Sequence, residues 1–419
     1  MNICVIGSGG REHAIIKSIR KNDKVRSIFA LPGNGGIAED AQCIDIKATD
    51  IDGVIQFAKQ NAIDFAIVAP DDPLVMGMVD ALSDAGIPAF GPSKAAALIE
   101  GSKVFSKDLM RKYNIPTAAY ESFDDPATAI SHLDRCDFPV VIKADGLALG
   151  KGVLICDTRD EAKEAILSIM QDRQFGASGD RIVIESFLTG PEVSVLAFTD
   201  GHTIRPMISS MDHKRALDGD MGLNTGGMGT IAPNPHYTKS IANQCMHEIF
   251  LPTISAMNAE GRAFKGCLYF GLMLTANGPK VIEYNCRFGD PEAQVVLPLL
   301  QSDLLDIMVA TAEEKLSEIE IEWADESACC VMVVSGGYPA SYEKGLPIDV
   351  GDAPRLGTLY HSGTALTNGQ LVTSGGRVIG ATATGKTLKD AIDQAYRAAA
   401  EIQFEHAYMR RDIGKKALQ

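Results

Sequence analysis

Several features that would define other classes of protein are missing from the 419-residue sequence. No apolar run is long enough to span a bilayer, and the first residues, MNICVIGSGG, lack the basic and long apolar segments of a secretion signal. The nine cysteines include no CxxC pair, and a chain of this kind suits a reducing compartment better than a disulfide framework. We therefore expect a cytoplasmic protein with no membrane contact.

Positive charge is also scarce. The chain has 39 Lys and Arg residues against 54 Asp and Glu residues, a formal net charge of −15. Because phosphate contacts need clustered basic residues, this balance argues against a nucleic-acid-binding surface. An anionic substrate would need a local basic pocket. The length predicts two to four domains.

The N-terminal hundred residues alternate between buried strands and helices, which predicts an α/β, doubly wound sheet. The first strand leads into a glycine turn, GSGG, but the sixth position of the dinucleotide fingerprint is Glu12. The N–H groups of Gly9 and Gly10, with Arg11, could hold one phosphate, and a purely structural turn is an equally good interpretation. Pro70 and Asp71 follow another strand at the edge where open sheets bind ligands.

A glycine-rich hairpin follows further along, in the segment VVIKADGLALGKGV. The spacing and the following strand exclude a Walker A loop, and two lysines beside Gly150 predict a mobile lid over nucleotide phosphates. These are Lys143 and Lys151. Lys103 stands in the first turn of a predicted helix, where a cation is unfavourable unless an anion is near or the side chain is simply solvated.

The segment RIVIESFLTGPEV has the features of an adenine-binding linker between two strands. Its backbone after Glu185 could hydrogen-bond a base edge, Phe187 and Leu188 could form an apolar wall, and Glu192 could accept from ribose hydroxyls. A long glycine-rich loop, predicted to lack secondary structure, then begins with Asp212, His213, Lys214 and Arg215, which we interpret as part of an anion site.

The stretch from Lys280 to Glu292 gives the strongest local indication of a binding site. Alternation along a strand puts Glu283, Asn285 and Arg287 on one face. Two oxygen ligands suit Mg²⁺, which takes the rest of its shell from water and phosphates, while the arginine could hold an anion. By contrast, we find no catalytic constellation beyond Trp323, where a small domain is expected. The parts together indicate phosphoryl transfer by positioning and charge neutralisation.

Five motifs in this order resemble the glycinamide ribonucleotide synthetase family, the phosphoribosylamine-glycine ligases of the ATP-grasp superfamily. They are GSGGREHA, GPSKAAALIEGSK, VVIKADGLALGKGV, DHKRALDGDMGLNTGGMG and EYNCRFGDPEAQ. The resemblance implies a pre-ATP-grasp N-domain (1–101), an ATP-grasp core (102–325) with a lid inserted at about 120–190, and a small α+β C-terminal domain (326–419). It also implies that ATP activates glycine as glycyl phosphate, which 5-phosphoribosylamine attacks to give glycinamide ribonucleotide, ADP and phosphate.

The resemblance assigns roles to residues of this chain. ATP would be bound by Lys103, Lys143, Gly150, Lys151, Glu185, Phe187, Leu188 and Glu192, and Mg²⁺ or Mn²⁺ by Glu283 and Asn285. The other substrates would be bound by Gly9, Gly10, Arg11, Pro70, Asp71, Asp212, Lys214, Asn224 and Arg287, with Asp212, Lys214 and Arg287 as the catalytic set. We expect a monomer or weak homodimer.

Two departures from the family pattern and three alternative functions stay open. The segment LYFGLML offers no second acidic metal ligand, so that Glu283 bridges two ions or water completes the shell, and Asp71 replaces a glutamate that is frequent in the family. The alternatives are an NAD-dependent oxidoreductase, against which Glu12 speaks, a nucleotide-sensing or scaffolding protein, and an ATP-grasp carboxylase that uses bicarbonate.

Overall fold

The N-terminal part of the chain is a parallel sheet covered by helices, as predicted. The computed structural model describes residues 1–147 and 152–418. The sheet has the order β3-β2-β1-β4-β5, and its central strand is wholly buried because every residue of NICVIG is apolar or small except Asn2. Its elements are β1 (Asn2–Gly7), α1 (Gly10–Ile19), β2 (Ser27–Pro32), β3 (Gln42–Cys43), α2 (Ile51–Gln60), β4 (Phe65–Val68), α3 (Asp71–Met76), α4 (Met78–Asp84), β5 (Ala89–Phe90) and α5 (Lys94–Gly101).

The sequence of residues 73–85 predicts a single helix, and this prediction is wrong. The chain forms α3 and α4 instead, with a break at Gly77, whose φ of 100° is left-handed and ends the first helix. Such a conformation favours glycine. The break lets α3 begin at Asp71, directly after β4, so that its N-terminus faces the ligand edge of the sheet.

A separate four-stranded antiparallel sheet follows, with the order β6-β9-β7-β8 and its own apolar core. The predicted hairpin is confirmed, with Lys143 paired to Val153. Its elements are α6 (Lys103–Lys112), β6 (Tyr120–Phe123), α7 (Pro126–His132), β7 (Val140–Ala144), β8 (Val153–Cys156), α8 (Arg159–Met170) and β9 (Ile182–Ser186).

The next sheet carries the centre of the molecule. Its antiparallel order is β11-β10-β16-β17, and the linker 187–191 joins it to the hairpin sheet. Elements of this region are β10 (Glu192–Asp200), β11 (Ile204–Pro206), β12 (Met211–Asp212), β13 (Arg215–Leu217), β14 (Met221–Asn224), β15 (Gly229–Ala232), α9 (Lys239–Cys245), α10 (Leu251–Ala259), β16 (Lys265–Thr275) and β17 (Gly278–Asn285).

The sequence makes three predictions for this region. It predicts a strand over residues 204–210, but that strand ends at Pro206, which has no N–H to continue a ladder. It also predicts a helix over residues 238–260, which is confirmed as a helical run that contains a π-helical segment at Met246–Phe250, just before Pro252. The glycine-rich loop is not structureless, because β13 and β14 form a hairpin in it and β12 and β15 flank that hairpin.

The C-terminal region shares a sheet with this loop. Strands β12 and β15 pair with three C-terminal strands in the order β12-β15-β18-β22-β19. Its elements are α11 (Ala293–Val296), α12 (Leu304–Ala312), β18 (Ser327–Val334), α13 (Ala353–Leu356), β19 (Thr358–His361), β20 (Thr364–Thr367), β21 (Gln370–Thr373), β22 (Arg377–Gly385) and α14 (Leu388–Glu401). Within residues 1–147 and 152–418 there is no helix whose length and apolar character would let it cross a membrane.

Candidate functional site

The candidate site lies on one face of the central sheet, where three strands present their side chains in rows. Ser194 of β10 pairs with Gly271 of β16, which pairs with Glu283 of β17. The neighbouring row brings Tyr269 opposite Asn285. The Ser194 and Tyr269 hydroxyl oxygens are 2.7 Å apart, which confirms that both side chains lie on this face.

The two predicted metal ligands, Glu283 and Asn285, fit a hard cation. Within the part of the chain that the structure describes, no hydrogen bond occupies the Glu283 carboxylate, and Asn285 Oδ1 accepts only a 3.3 Å contact from Arg287 Nη2. Gly271 leaves room for Glu283, since an added Cβ would lie 3.0 Å from Glu283 Cγ. A carboxylate and an amide oxygen with few protein partners are typical of a magnesium site that shares substrate phosphates.

Lysines converge on this carboxylate from the hairpin side. Lys143 Nζ lies 2.9 Å from Glu185 Oε1 and donates to the Ile282 carbonyl at 3.0 Å. Lys103 Nζ donates to the Gly146 carbonyl at 2.9 Å. Burial lowers the pKa of Lys103, while the nearby Glu283 opposes that shift. A cation in a low-dielectric pocket is stabilised by an anionic ligand, so both lysines are placed for phosphate.

The linker residues lie beside these lysines at the end of β9. Glu185 is 4% exposed, whereas Phe187 is 38% exposed and Leu188 is half-buried. Glu192 opens β10 at the mouth of the site. The surrounding protein raises the pKa of Glu192, with Lys214 acting in the opposite direction and Glu283 adding to the rise. Gly150 and Lys151 lie outside the described residues.

A second cluster surrounds Lys214 on the same face. Lys214 Nζ donates to Asp212 Oδ2 at 2.9 Å. Burial disfavours the Lys214 cation, but Asp212 together with Glu292 and Glu283 outweighs it, and the pKa of Lys214 is raised well above its usual value. The buried Glu292 accepts from the Tyr269 hydroxyl at 3.1 Å, and burial together with Asp212 raises its pKa. Lys214 is therefore a fixed cation among carboxylates, suited to hold a substrate carboxylate or acyl phosphate.

Arg287 joins this sheet to the N-terminal domain. Its Nη2 lies 3.3 Å from Glu100 Oε1, and its buried Nε has no partner among the described residues. Burial raises the pKa of Asp71, but Arg287 and Arg11 outweigh it, so that the pKa is lowered. Asp71 and Pro70 therefore stand at the same cleft as Arg287, whose charge makes it a candidate to bind a substrate anion.

The Gly9 N–H, which we predict to bind a phosphate, is engaged within the protein in this structure. The Gly9 N–H donates to the Glu12 carboxylate, which caps α1. Arg11 is also engaged, because its Nε donates to Glu12 Oε1 at 2.7 Å and its Nη1 to the Phe288 carbonyl at 3.2 Å. Gly10 is buried. A phosphate at this turn would have to displace the Glu12 contacts, so this part of the substrate set stays a prediction.

Asn224 is not tied to the cluster. It ends β14 opposite Arg215, and within residues 1–147 and 152–418 its side chain makes no hydrogen bond to the other predicted residues. Four residues that the sequence analysis missed are part of the site or its support: Glu100, Lys107, Glu292 and Arg377. A charged residue in an otherwise apolar segment was the available signal for Glu100.

The fold and the candidate site are those of an ATP-grasp enzyme. A hairpin sheet is joined by a linker to a second sheet, and carboxylate and amide oxygens stand at the end of one of its strands. Family models of phosphoribosylglycinamide synthetase match residues 1–100 (N domain), 101–293 (ATP-grasp domain) and 328–416 (C domain). The chain belongs to the phosphoribosylglycinamide synthetase family.

Relatives and solved structures agree with this family. Phosphoribosylamine–glycine ligase of Caldanaerobacter subterraneus subsp. tengcongensis is 48% identical over 99% of both chains, and that of Rhodopirellula baltica is 48% identical over 100% of this chain and 98% of its own. The crystal structure of phosphoribosylamine–glycine ligase from Thermotoga maritima superposes with a TM-score of 0.88 at 33% identity, covering 99% of this chain and 100% of that one. Biotin carboxylase from Campylobacter jejuni, at 13% identity and a TM-score of 0.76 over 97% of this chain and 92% of that one, shares the fold.

Proposed function

We propose that the protein ligates glycine to 5-phosphoribosylamine at the expense of ATP, giving glycinamide ribonucleotide, ADP and phosphate in purine biosynthesis. Full-length identity of 48% to phosphoribosylamine–glycine ligases carries this conclusion. The site supplies the chemistry that it requires, with lysines for the nucleotide on one side of Glu283 and an Asp212–Lys214 pair with Arg287 on the other.

The reaction passes through glycyl phosphate. The glycine carboxylate attacks the γ-phosphorus of ATP and ADP leaves; the amine of phosphoribosylamine then attacks the acyl carbon and expels phosphate, with loss of a proton from nitrogen. Neither step needs a protein nucleophile, so catalysis rests on positioning and charge neutralisation. We assign Lys103 and Lys143 to the nucleotide phosphates, because Lys143 donates to the Ile282 carbonyl next to Glu283 and the charge of Glu283 acts on Lys103.

Glu283 and Asn285 would hold the divalent cation, Mg²⁺ or Mn²⁺, which when bound neutralises charge on the phosphates. Lys214 and Arg287 are assigned to the glycine carboxylate and the acyl phosphate. Asp212 holds the Lys214 ammonium in place through its 2.9 Å contact. Burial raises the pKa of Glu100, and Arg287 opposes that rise. The contact between these two side chains holds Arg287 in place from the N-terminal domain.

The cleft between Arg287 and the N-terminal domain is assigned to phosphoribosylamine. Asp71 and Arg11 flank it, and the charges of Arg287 and Arg11 lower the pKa of Asp71. The substrates are thus small molecules, and the absence of a nucleic-acid partner stays a prediction from the sequence. The cytoplasmic location and the monomeric or weakly dimeric state stay predictions from the sequence.

A substrate-omission assay tests the function. Purified protein with ATP and magnesium should release stoichiometric phosphate only when both glycine and phosphoribosylamine are present, and mass spectrometry should identify glycinamide ribonucleotide. Bicarbonate in place of glycine tests the carboxylase alternative, and alanine in place of glycine tests the size of the amino-acid pocket. Equal rates with alanine, or turnover with bicarbonate alone, would contradict the proposal.

A further inference from the structure

Glu185 is the centre of a buried ion triad with Lys107 and Lys143. Glu185 is 4% exposed and Lys107 2% exposed. Lys107 Nζ donates to Glu185 Oε2 at 2.7 Å, and Lys143 Nζ lies 2.9 Å from Oε1. The triad therefore holds two cations and one anion where water hardly reaches. An excess buried charge is unfavourable unless a ligand compensates it.

The two lysines differ in what else they contact. Lys107 also donates to Thr117 Oγ1 at 2.8 Å and is enclosed by protein. Lys143 instead donates to the Ile282 carbonyl at 3.0 Å, beside Glu283 on the metal-binding strand. Only Lys143 is therefore placed to turn from Glu185 toward the phosphates of a nucleotide.

We propose that Lys107 is a positioning residue for ATP: it is the permanent counter-ion of Glu185, and it frees Lys143 to leave Glu185 for the phosphates while the Glu185 carboxylate stays ionised beside the adenine. This inference rests on the proposed function only through the assignment of Lys143 and Glu185 to the nucleotide. No covalent step is involved.

The role predicts that loss of Lys107 acts on binding rather than on folding. Without Lys107, Glu185 and Lys143 form a simple buried pair in the free protein, in which each charge is compensated. When a nucleotide draws Lys143 away, Glu185 is left buried without a cation, which is strongly unfavourable. A merely structural lysine would show the opposite pattern, with lower stability and unchanged nucleotide affinity.

Charged groups on each surrounding strand act on the Lys107 ammonium. Burial lowers the pKa of Lys107 to about 8, with Glu185 of β9 opposing the shift, Lys143 of β7 adding to it and Glu283 of β17 opposing it. The ring of Tyr120 on β6 lies 5.8 Å from Lys107 Nζ. If Lys143 moves toward phosphate, a like charge leaves and the pKa of Lys107 rises, so that nucleotide binding should take up a proton just above this pKa.

Calorimetric titration with MgADP tests the proposal on the intact protein. The variants are Lys107→Met and Lys107→Arg, and the matched control is Lys112→Met, an exposed lysine of the same helix that contacts Glu260 at 2.6 Å. We expect Lys107→Met to weaken MgADP binding about tenfold or more, because a buried carboxylate loses its last cation. Lys107→Arg should recover part of the affinity, and the control should bind like wild type.

Two further readouts separate positioning from structure. The urea midpoint of Lys107→Met should match that of Lys112→Met, and the KM for glycine should change far less than the KM for ATP. Titrations in buffers of different ionisation enthalpy should show proton uptake in wild type that Lys107→Met lacks. Unchanged MgADP affinity in Lys107→Met, or a loss of affinity that only follows a loss of folded protein, would overturn the proposal. If wild type bound MgADP but made no product, the ligase function would be refuted, while the binding data would still decide the role of Lys107.

Discussion

Replacing Arg377 by methionine should loosen the substrate side of the site from the C-terminal domain. Arg377 Nη1 donates to the Gly226 and Asp290 carbonyls, each at 2.6 Å, and Nη2 lies 3.4 Å from Asp290 Oδ1. The Arg377 and Asp290 side chains are 18% and 13% exposed. Methionine fills part of the same space but donates no hydrogen bond, so the two turns that carry Gly226 and Asp290 lose their common anchor.

The size of the stability loss depends on the contacts that Asp290 keeps after Arg377 is replaced. Breaking a buried ion pair by removing one partner costs about 3 to 5 kcal/mol. Asp290 keeps a 2.7 Å hydrogen bond from Gln294 Nε2 and a 3.3 Å one from the Arg11 N–H, and some water reaches it. We therefore expect the lower end, a loss of about 3 kcal/mol of unfolding free energy, measured by urea denaturation at neutral pH.

The loss should depend on pH in a definite direction. Burial raises the pKa of Asp290, but Arg377 and Arg11 outweigh it, so that the folded-state pKa lies below its ordinary value of 3.8. A carboxylate with a depressed pKa stabilises the protein above its unfolded pKa, and this contribution is lost as the pH falls through the folded pKa. The difference between wild type and Arg377→Met should therefore be largest near neutrality and shrink below about pH 4.

Activity gives the second measurement. A Cβ at Gly227 would lie 2.6 Å from Asp212 Oδ1, so a shift of this turn moves Asp212 and with it Lys214. Arg377→Met should raise the KM for glycine more than that for ATP. Arg397→Met, on the exposed face of α14, is the control. An unfolding change below about 1 kcal/mol, the size of a surface pair, or equal effects on both KM values, would refute the reasoning.

Strand β17 could be predicted from the sequence, because the pattern that defines it is local. Alternation alone placed Glu283 and Asn285 on one face, and the described structure confirms it through their pairing with Gly271 and Tyr269. The hairpin of β7 and β8 and the doubly wound N-terminal sheet were predictable for the same reason. Buried strands and glycine turns are patterns of a few neighbouring residues.

The supporting residues could not be predicted, because they depend on pairs that are far apart in sequence. Glu100 contacts Arg287, and Arg377 contacts Asp290. The members of each pair lie far apart in the sequence, and no motif spacing connects them. Glu12 was interpreted only as a departure from the dinucleotide fingerprint, whereas it caps its own helix. The composition of the glycine-rich loop concealed β12 and β15, since β12 pairs with β15, and β15 pairs with β18, which lies about a hundred residues later.

Two other predictions concern the metal strand and the N-terminal interface. Gly271→Ala should raise the magnesium concentration needed for half-maximal rate about tenfold with little change in melting temperature, because its Cβ would lie 3.0 Å from Glu283 Cγ and displace the ligand; an unchanged magnesium dependence would count against Glu283. The other prediction is that acid weakens the protein through His361. Burial, together with His13, lowers the pKa of His361 to about 3 from 6.5, and the His361 N–H donates to His13 Nδ1 at 2.9 Å. Between these pKa values the unfolded chain binds more protons, so the unfolding free energy should fall as the pH drops below 6.5, by about 2 kcal/mol at a pH of about 5. His361→Asn should reduce this dependence, whereas replacement of the exposed His406 by asparagine should not; equal pH profiles for wild type and His361→Asn would show that His361 is not the group that titrates.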